Sequence, residues 1–164
     1  MIRVLRDDDA EAYSELRRAA LLDDPLAFVS SPEDDFASDP AALRENLTAN
    51  PESVILGAFE PGLVAAVGLY RDRHAKAAHK VHAWGLYVAP SHRRQGLARQ
   101  LMEGILGHAR SLPGVAKVHL TVSSSAPGAQ QLYAQLGFQV WGEEPDALRY
   151  EGRSVDDRHM VLAI

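Results

Sequence analysis

The chain has 164 residues, 46% of them hydrophobic and 24% charged, with 17 Lys and Arg against 22 Asp and Glu for a formal net charge of −5. These are the proportions of an ordinary globular protein, and the length suits a single domain over residues 1–164 with one sizeable core. The lack of cysteine excludes disulfides, thiolate nucleophiles and cysteine metal sites and fits a reducing, cytoplasmic setting. No apolar run approaches the roughly 20 residues of a membrane span, and the acidic N-terminus MIRVLRDDDAEAY has no signal-peptide core.

Taken in order, Ile2–Leu5 reads as a short strand. Asp7-Asp8-Asp9 supplies an N-cap and early negative charge for a helix to about Leu22, with Ala12, Leu16, Ala19 and Ala20 inward. Asp23-Asp24-Pro25 stops it, and Leu26–Asp39 reads as a loop over a site. Its acids Glu33, Asp34 and Asp35 are expected to be solvated. Asp39-Pro40 opens a second helix, Ala41–Asn50. Ser53–Glu60 and Leu63–Tyr70 form a hairpin about Glu60-Pro61-Gly62. A polar connection, Arg71–His79, then leads into the apolar strand ending at Val88-Ala89-Pro90.

A helix follows from Gln95 to Arg110, where Leu97, Leu101, Ile105 and Ala109 recur every four residues beside Ala98, Met102 and Leu106. Pro113-Gly114 turns the chain into a strand, Val115–Val122. Ala129–Leu136 is a helix closed by Gly137. Phe138–Trp141 begins another strand, Glu143–Ala147 turns, and Arg158–Ile164 is the last strand. This order gives one mixed, mostly antiparallel twisted α/β sheet with helices on both faces.

The junction around Gly96 carries the chemistry. Arg93, Gly96 and Ala98 form an R-x-x-G-x-A pattern where a strand gives way to a helix. The first turn of a helix has N–H groups without internal partners, its dipole favours an anion, and glycine allows close approach to the backbone. With Arg93 and Arg94 beside it, the junction reads as a pyrophosphate cradle. It also reads as an ordinary β-loop-α connection with a cap glycine and two solvated arginines. Residues 61–120 hold 9 Lys and Arg against 2 Asp and Glu, whereas residues 1–60 hold 5 against 14. The basic segment thus coincides with the cradle, and the acidic third can draw in a cation. The basic segment lacks the interleaved aromatics of a single-stranded nucleic-acid groove, so no nucleic-acid partner is expected.

Two stretches together resemble the GNAT superfamily of N-acetyltransferases. LYVAPSHRRQGLARQLM, Leu86–Met102, is similar to the family's acetyl-CoA motif. AQQLYAQLGF, Ala129–Phe138, is similar to the A-x-x-L-Y-x-x-x-G-F segment after the fifth strand. With the layout of the other elements, the resemblance spans nearly the whole chain. It implies that the fourth and fifth strands splay at a bulge, near Gly85, with acetyl-CoA between them as co-substrate. The backbone of Leu86, Tyr87 and Val88 would meet the acetyl and pantetheine groups. The N–H groups of Arg94, Gln95, Gly96, Leu97, Ala98 and Arg99, helped by Arg93, would hold the diphosphate. The family often has an asparagine where this chain has Ala126; its cofactor contacts would be missing or supplied by Ser123, Ser124 or Ser125, with Ser125 the candidate.

The implied reaction is transfer of an acetyl group to a primary amine of a small molecule or protein N-terminus. The amine attacks directly, with no covalent enzyme intermediate and no metal. Tyr133 is the candidate general acid, because the family's tyrosine points at the sulfur; packing of helix on sheet is its other reading. His82 is the candidate base, since imidazole titrates near neutrality, with a water relay as the alternative. His74, His79 and His82 are spaced too loosely for a metal site. The loops Leu26–Asp39 and Arg71–His79 are expected to build the acceptor pocket, Trp84 and Phe28 are candidates to line it although more readily core, and a homodimer is common among similar proteins. A catalytically silent acyl-CoA-binding regulatory module is the competing function. A nucleotide binder is a third, disfavoured by the absence of G-x-x-x-x-G-K-[ST].

Overall fold

The computed structural model describes residues Met1–Ile164. Seven strands form one sheet in the order β1-β2-β3-β4-β5-β7-β6. They are β1 (Ile2–Val4), β2 (Val54–Phe59), β3 (Leu63–Arg71), β4 (Lys80–Val88), β5 (Lys117–Ser123), β6 (Gln139–Tyr150) and β7 (Arg153–Ala163). All neighbours are antiparallel except β4 and β5, which run parallel. Four helices complete the fold: α1 (Ala10–Asp23), α2 (Pro40–Asn46), α3 (Leu97–Ser111) and α4 (Pro127–Gln135).

The sheet has a core on each face because β2 and β3 are apolar at nearly every position. Leu56, Val67 and Leu69 point to one side, against Leu101, Met102, Ile105 and Leu106 of α3. Leu101, Ile105 and Ala109 are fully buried, which confirms the stripe read from their spacing. Full burial of each larger side chain there contributes about 1.5–3 kcal/mol. Ile55 and Ala66 point the other way, against Tyr13, Leu16 and Ala20 of α1 and Leu43 of α2. The inward row of α1 differs from the expected one, because Ala19 is exposed while Tyr13, Arg17 and Leu21 are buried.

Three local expectations change. Asp7–Asp9 forms a 3₁₀ turn, and Asp9 accepts from the Arg3 guanidinium at 2.6 and 2.8 Å and the Arg6 N–H at 2.7 Å, with no cap bond to α1. Helix α2 ends at Asn46, although Asp39 caps it as expected, accepting from Ala41 and Ala42 N–H. Most consequentially, Glu143–Ala147 is no turn. Strand β6 continues through it to Tyr150, and the reversal falls at Glu151-Gly152. Pro145 is tolerated because β6 is the edge strand and the register slips between Glu144 and Leu148.

The feature that builds a site is the join of β4 to β5. They pair only at Lys80↔Lys117, Val81↔Val118 and His82↔His119. Beyond that point β4 carries a bulge against β3: Ala66 pairs Tyr87, but Gly68 pairs Trp84, which leaves one extra residue on β4. Gly85 sits in it with φ +66°, a conformation other residues adopt only under strain.

Candidate functional site

Where β4 and β5 part, three connected spaces open. A cleft of about 700 Å³ lies between the end of β4 (Leu86, Tyr87, Val88), the start of α3 and the α4 residues Ala129 and Leu132. A narrow channel of about 80 Å³ continues inward past Leu86, Ala126, Ala129 and Tyr133. It meets a cavity of about 440 Å³ on the far side of the strands, around Trp84, His82 and His119. Leu86 and Ala129 border both cleft and channel, Trp84 and Ser123 border both channel and cavity, and Phe28 touches all three.

The cleft ends on a run of free donors. The first helical bond of α3 is Gln100 N–H to Gly96 C=O at 3.1 Å, and the N–H groups of Arg94, Gln95, Gly96, Leu97, Ala98 and Arg99 donate to no protein acceptor. Arg94 and Gly96 both adopt positive φ, +62° and +82°, which turns successive amides toward the cleft. Six unpaired amides at a helix start form a concavity suited to a diphosphate, so the residues present fit the expected group. The two arginines differ. Arg93 donates to the Val88 carbonyl at 2.9 Å, pairs with Asp23 and lies 5.6 Å over the Tyr87 ring, so it braces the loop. Arg94 has no such partner and borders the cleft. Arg99 is held by Gln135 at 2.5 Å.

Tyr133 packs edge-on to Phe138 with ring centroids 6.0 Å apart, and its face borders the channel. Burial pushes its phenol well above the ordinary value, so it stays protonated at neutral pH. This placement is compatible with packing and with a role as proton donor. Ser125 is turned away from the three spaces and shares a 2.8 Å bond with Ser123, which is the serine that borders channel and cavity.

In the cavity His82 Nε2 lies 2.8 Å from Asp72 Oδ2, and the ring stacks on Tyr70 with centroids 4.7 Å apart. The bond to His82 holds the Asp72 carboxyl below the usual range. A carboxylate thus orients the imidazole, as an acid–base pair requires. His119, 5.6 Å away by centroids, is a residue the sequence reading passed over. Its Nε2 is buried without a partner. Burial first, then the nearby His82, keeps its imidazole below the ordinary value and favours the neutral form.

The remaining walls differ from the expected ones. Ala27–Ser30 of the early loop contributes, but Arg71–His79 does not; its place is taken by Trp141, Leu148, Asp157 and His159 of the β6–β7 ribbon. Trp84 lies flat on Gly68, where an added Cβ would stand 2.2 Å from the indole, and it also lines the cavity. Asp35 is buried rather than solvated, bonded to Arg17. Arg17 was legible only as a charge on the inward row Tyr13–Arg17–Leu21 of α1.

Comparison with known proteins agrees with this arrangement. Residues 11–138 match the family model described as acetyltransferase (GNAT) family. A spermidine N(1)-acetyltransferase of Vibrio cholerae is 26% identical over 96 residues, a match spanning 58% of this chain and 56% of that enzyme. Among solved structures, a GNAT-family acetyltransferase from Streptococcus pneumoniae superposes with TM-score 0.87 at 20% identity, covering 100% of this chain and 99% of that one. The yncA protein of Salmonella typhimurium, solved with its cofactor acetyl-CoA, gives TM-score 0.83 at 23% identity, covering 99% and 92%.

Proposed function

Because the chain belongs to the acetyltransferase (GNAT) family, we propose that it is an N-acetyltransferase, a single domain over residues 1–164 working in the cytoplasm. It moves the acetyl group of acetyl-CoA directly to a primary amine of a small molecule or protein N-terminus. The observation that carries this reading is the break between β4 and β5, which joins an amide-lined cleft to a second cavity through a channel bordered by Tyr133. Two substrates entering from opposite sides would meet at that channel.

Acetyl-CoA supplies an activated acyl group, and the chain does the rest. The amides of Arg94 to Arg99, with the Arg94 side chain, hold the diphosphate. The β5-facing edge of β4 at Leu86, Tyr87 and Val88, which has no strand partner there, aligns the extended pantetheine arm as an added strand. A free amine is mostly protonated at neutral pH, so a proton must leave before attack. His82, oriented by Asp72, takes it directly or through water. Tyr133 gives its phenolic proton to the departing sulfur and regains one from the nitrogen as it becomes the neutral amide; a buried, protonated phenol suits that role.

The test is release of free thiol from acetyl-CoA in the presence of a panel of primary amines. Turnover on at least one amine, reduced about a hundredfold in His82→Gln, is the expected result. Tight CoA binding with no thiol released from any amine would identify a silent acyl-CoA-binding module instead.

A further inference from the structure

The acceptor cavity contains a buried cationic donor with nothing to bond. Arg17 projects from α1 with only 9% of its side chain exposed. Its Nε and Nη2 donate to Asp35 Oδ1 at 3.1 and 2.9 Å, which balances the charge on one side of the guanidinium. Nη1 is buried and has no partner. It lies on the opposite side, 3.2 Å from where a Cβ on Gly85 would stand, beside the bulge that borders both channel and cavity. The rings of Phe28, Phe36 and Trp84 surround the guanidinium at 4.9, 5.7 and 5.7 Å, so water has little access to it. Leaving a buried donor unmet is costly, and more so when it is charged. Native structures rarely leave such a donor without a protein, water or ligand partner.

We propose that Arg17 Nη1 receives the carboxylate of the acceptor, so that the acceptor class is a small α-amino acid with an apolar or aromatic side chain. This rests on the acetyl-transfer reading of the same cavity. Asp157, His82 and His119 line the same cavity, so it presents both a donor for an anion and groups for an ammonium. Phe28, Tyr70 and Trp141 give it an aromatic lining. A polyamine has no oxygen for Nη1 and brings several cations to a cavity with one lining carboxylate, so it fits poorly. In this the chain departs from the acceptor named for its Vibrio cholerae relative.

The experiment compares phenylalanine, its amide, phenethylamine and spermidine by thiol release. It also measures calorimetric binding of N-acetylphenylalanine and N-acetylphenethylamine to the CoA-saturated wild-type protein. The expected result is a kcat/KM for phenylalanine about tenfold to a hundredfold above phenethylamine, with the same preference in product binding. In Arg17→Lys, which keeps a cation for Asp35 but loses the second nitrogen, both preferences fall to about threefold or less. Equal use of phenylalanine and phenethylamine, or a preference for the amide or spermidine, overturns the assignment while acetyl transfer stands. If no amine releases thiol yet N-acetylphenylalanine binds tighter in an Arg17-dependent way, transfer fails and the carboxylate site stands. Should Arg17→Lys fold poorly, the wild-type product-binding ratio decides alone.

Discussion

Strand β5 has two edges with opposite fates. Toward β7 it is paired along its whole length, from Lys117↔Ala163 to Ser123↔Asp157. Toward β4 it is paired for three residues and then released. The side chains are equally apolar on both counts, with Val118, Leu120 and Val122 all buried, so hydrophobic pattern does not separate the two edges. What separates them is backbone geometry on the neighbour. The extra residue at the Gly85 bulge turns β4 away, and the amides and carbonyls freed there, together with the gap itself, become the site. One edge is closed by pairing and the other opens onto the proposed site. Substitutions can therefore damage one while leaving the other intact.

Gly96→Glu should produce the largest effect on the open side. It places a carboxylate and a β-carbon at φ +82°, in the amide run that faces the cleft. Only the Gln100 side chain lies near the added atom, at 3.7 Å, so the change strains the local turn without striking the core. CoA affinity measured by calorimetry should fall more than about a hundredfold, the scale of losing several charge-assisted bonds. Unchanged affinity removes the cradle.

Tyr133→Phe probes the channel itself. The ring and its contact with Phe138 remain while the hydroxyl goes. We expect kcat to fall about a hundredfold with CoA affinity preserved, in line with loss of one general acid. A kcat within about twofold of wild type leaves Tyr133 as packing alone.

On the closed edge the expectation inverts. Met160 of β7 is 4% exposed and pairs with Leu120 of β5. Met160→Ala should cost about 2–5 kcal/mol in urea unfolding through the cavity it leaves. CoA affinity should remain close to wild type. A large loss of CoA affinity at unchanged stability would show that the two edges are coupled.

The same contrast explains what the sequence could reveal. Helix α3 and its cradle were legible because every residue they need is contiguous: the four-residue stripe from Leu97 to Ala109, and Arg94 to Arg99 just before and within its first turn. The second cavity was legible only in part: the early loop, Phe28, Trp84 and His82 could be named for it, but Arg17, His119 and Asp157 come from three separate elements and meet only in the fold. The extended β6 was missed for another reason. Of its 12 residues none is buried, so no alternation marks its path, and Pro145 and Asp146 there look like a turn. Ser125 was the candidate of the three serines, but spacing alone does not show direction, and the path of the backbone puts Ser123 at the channel.

The smallest effect lies at the point of division. His119 is the last residue of β5 paired with β4, and its Nε2 has no partner. It faces His82 and, through ring contact at 6.0 Å, Trp141; Lys117 and Lys80 add positive charge and Asp72 opposes them. Burial and these cations hold its imidazole below the ordinary value of 6.5, so the folded chain takes up this proton less readily than the unfolded chain. The sign follows. Its contribution to stability is fully present above about pH 6.5 and is lost as pH falls through the lower, folded value. An asparagine at this position cannot titrate. Melting temperatures of wild type and His119→Asn, measured from pH 8 to pH 5, should run parallel above about pH 7. Below it the wild type should fall further, by about 2–4 °C for each kcal/mol in a chain of this size. Parallel curves throughout would mean that water or a neighbour satisfies His119 and that its burial does not bear on stability.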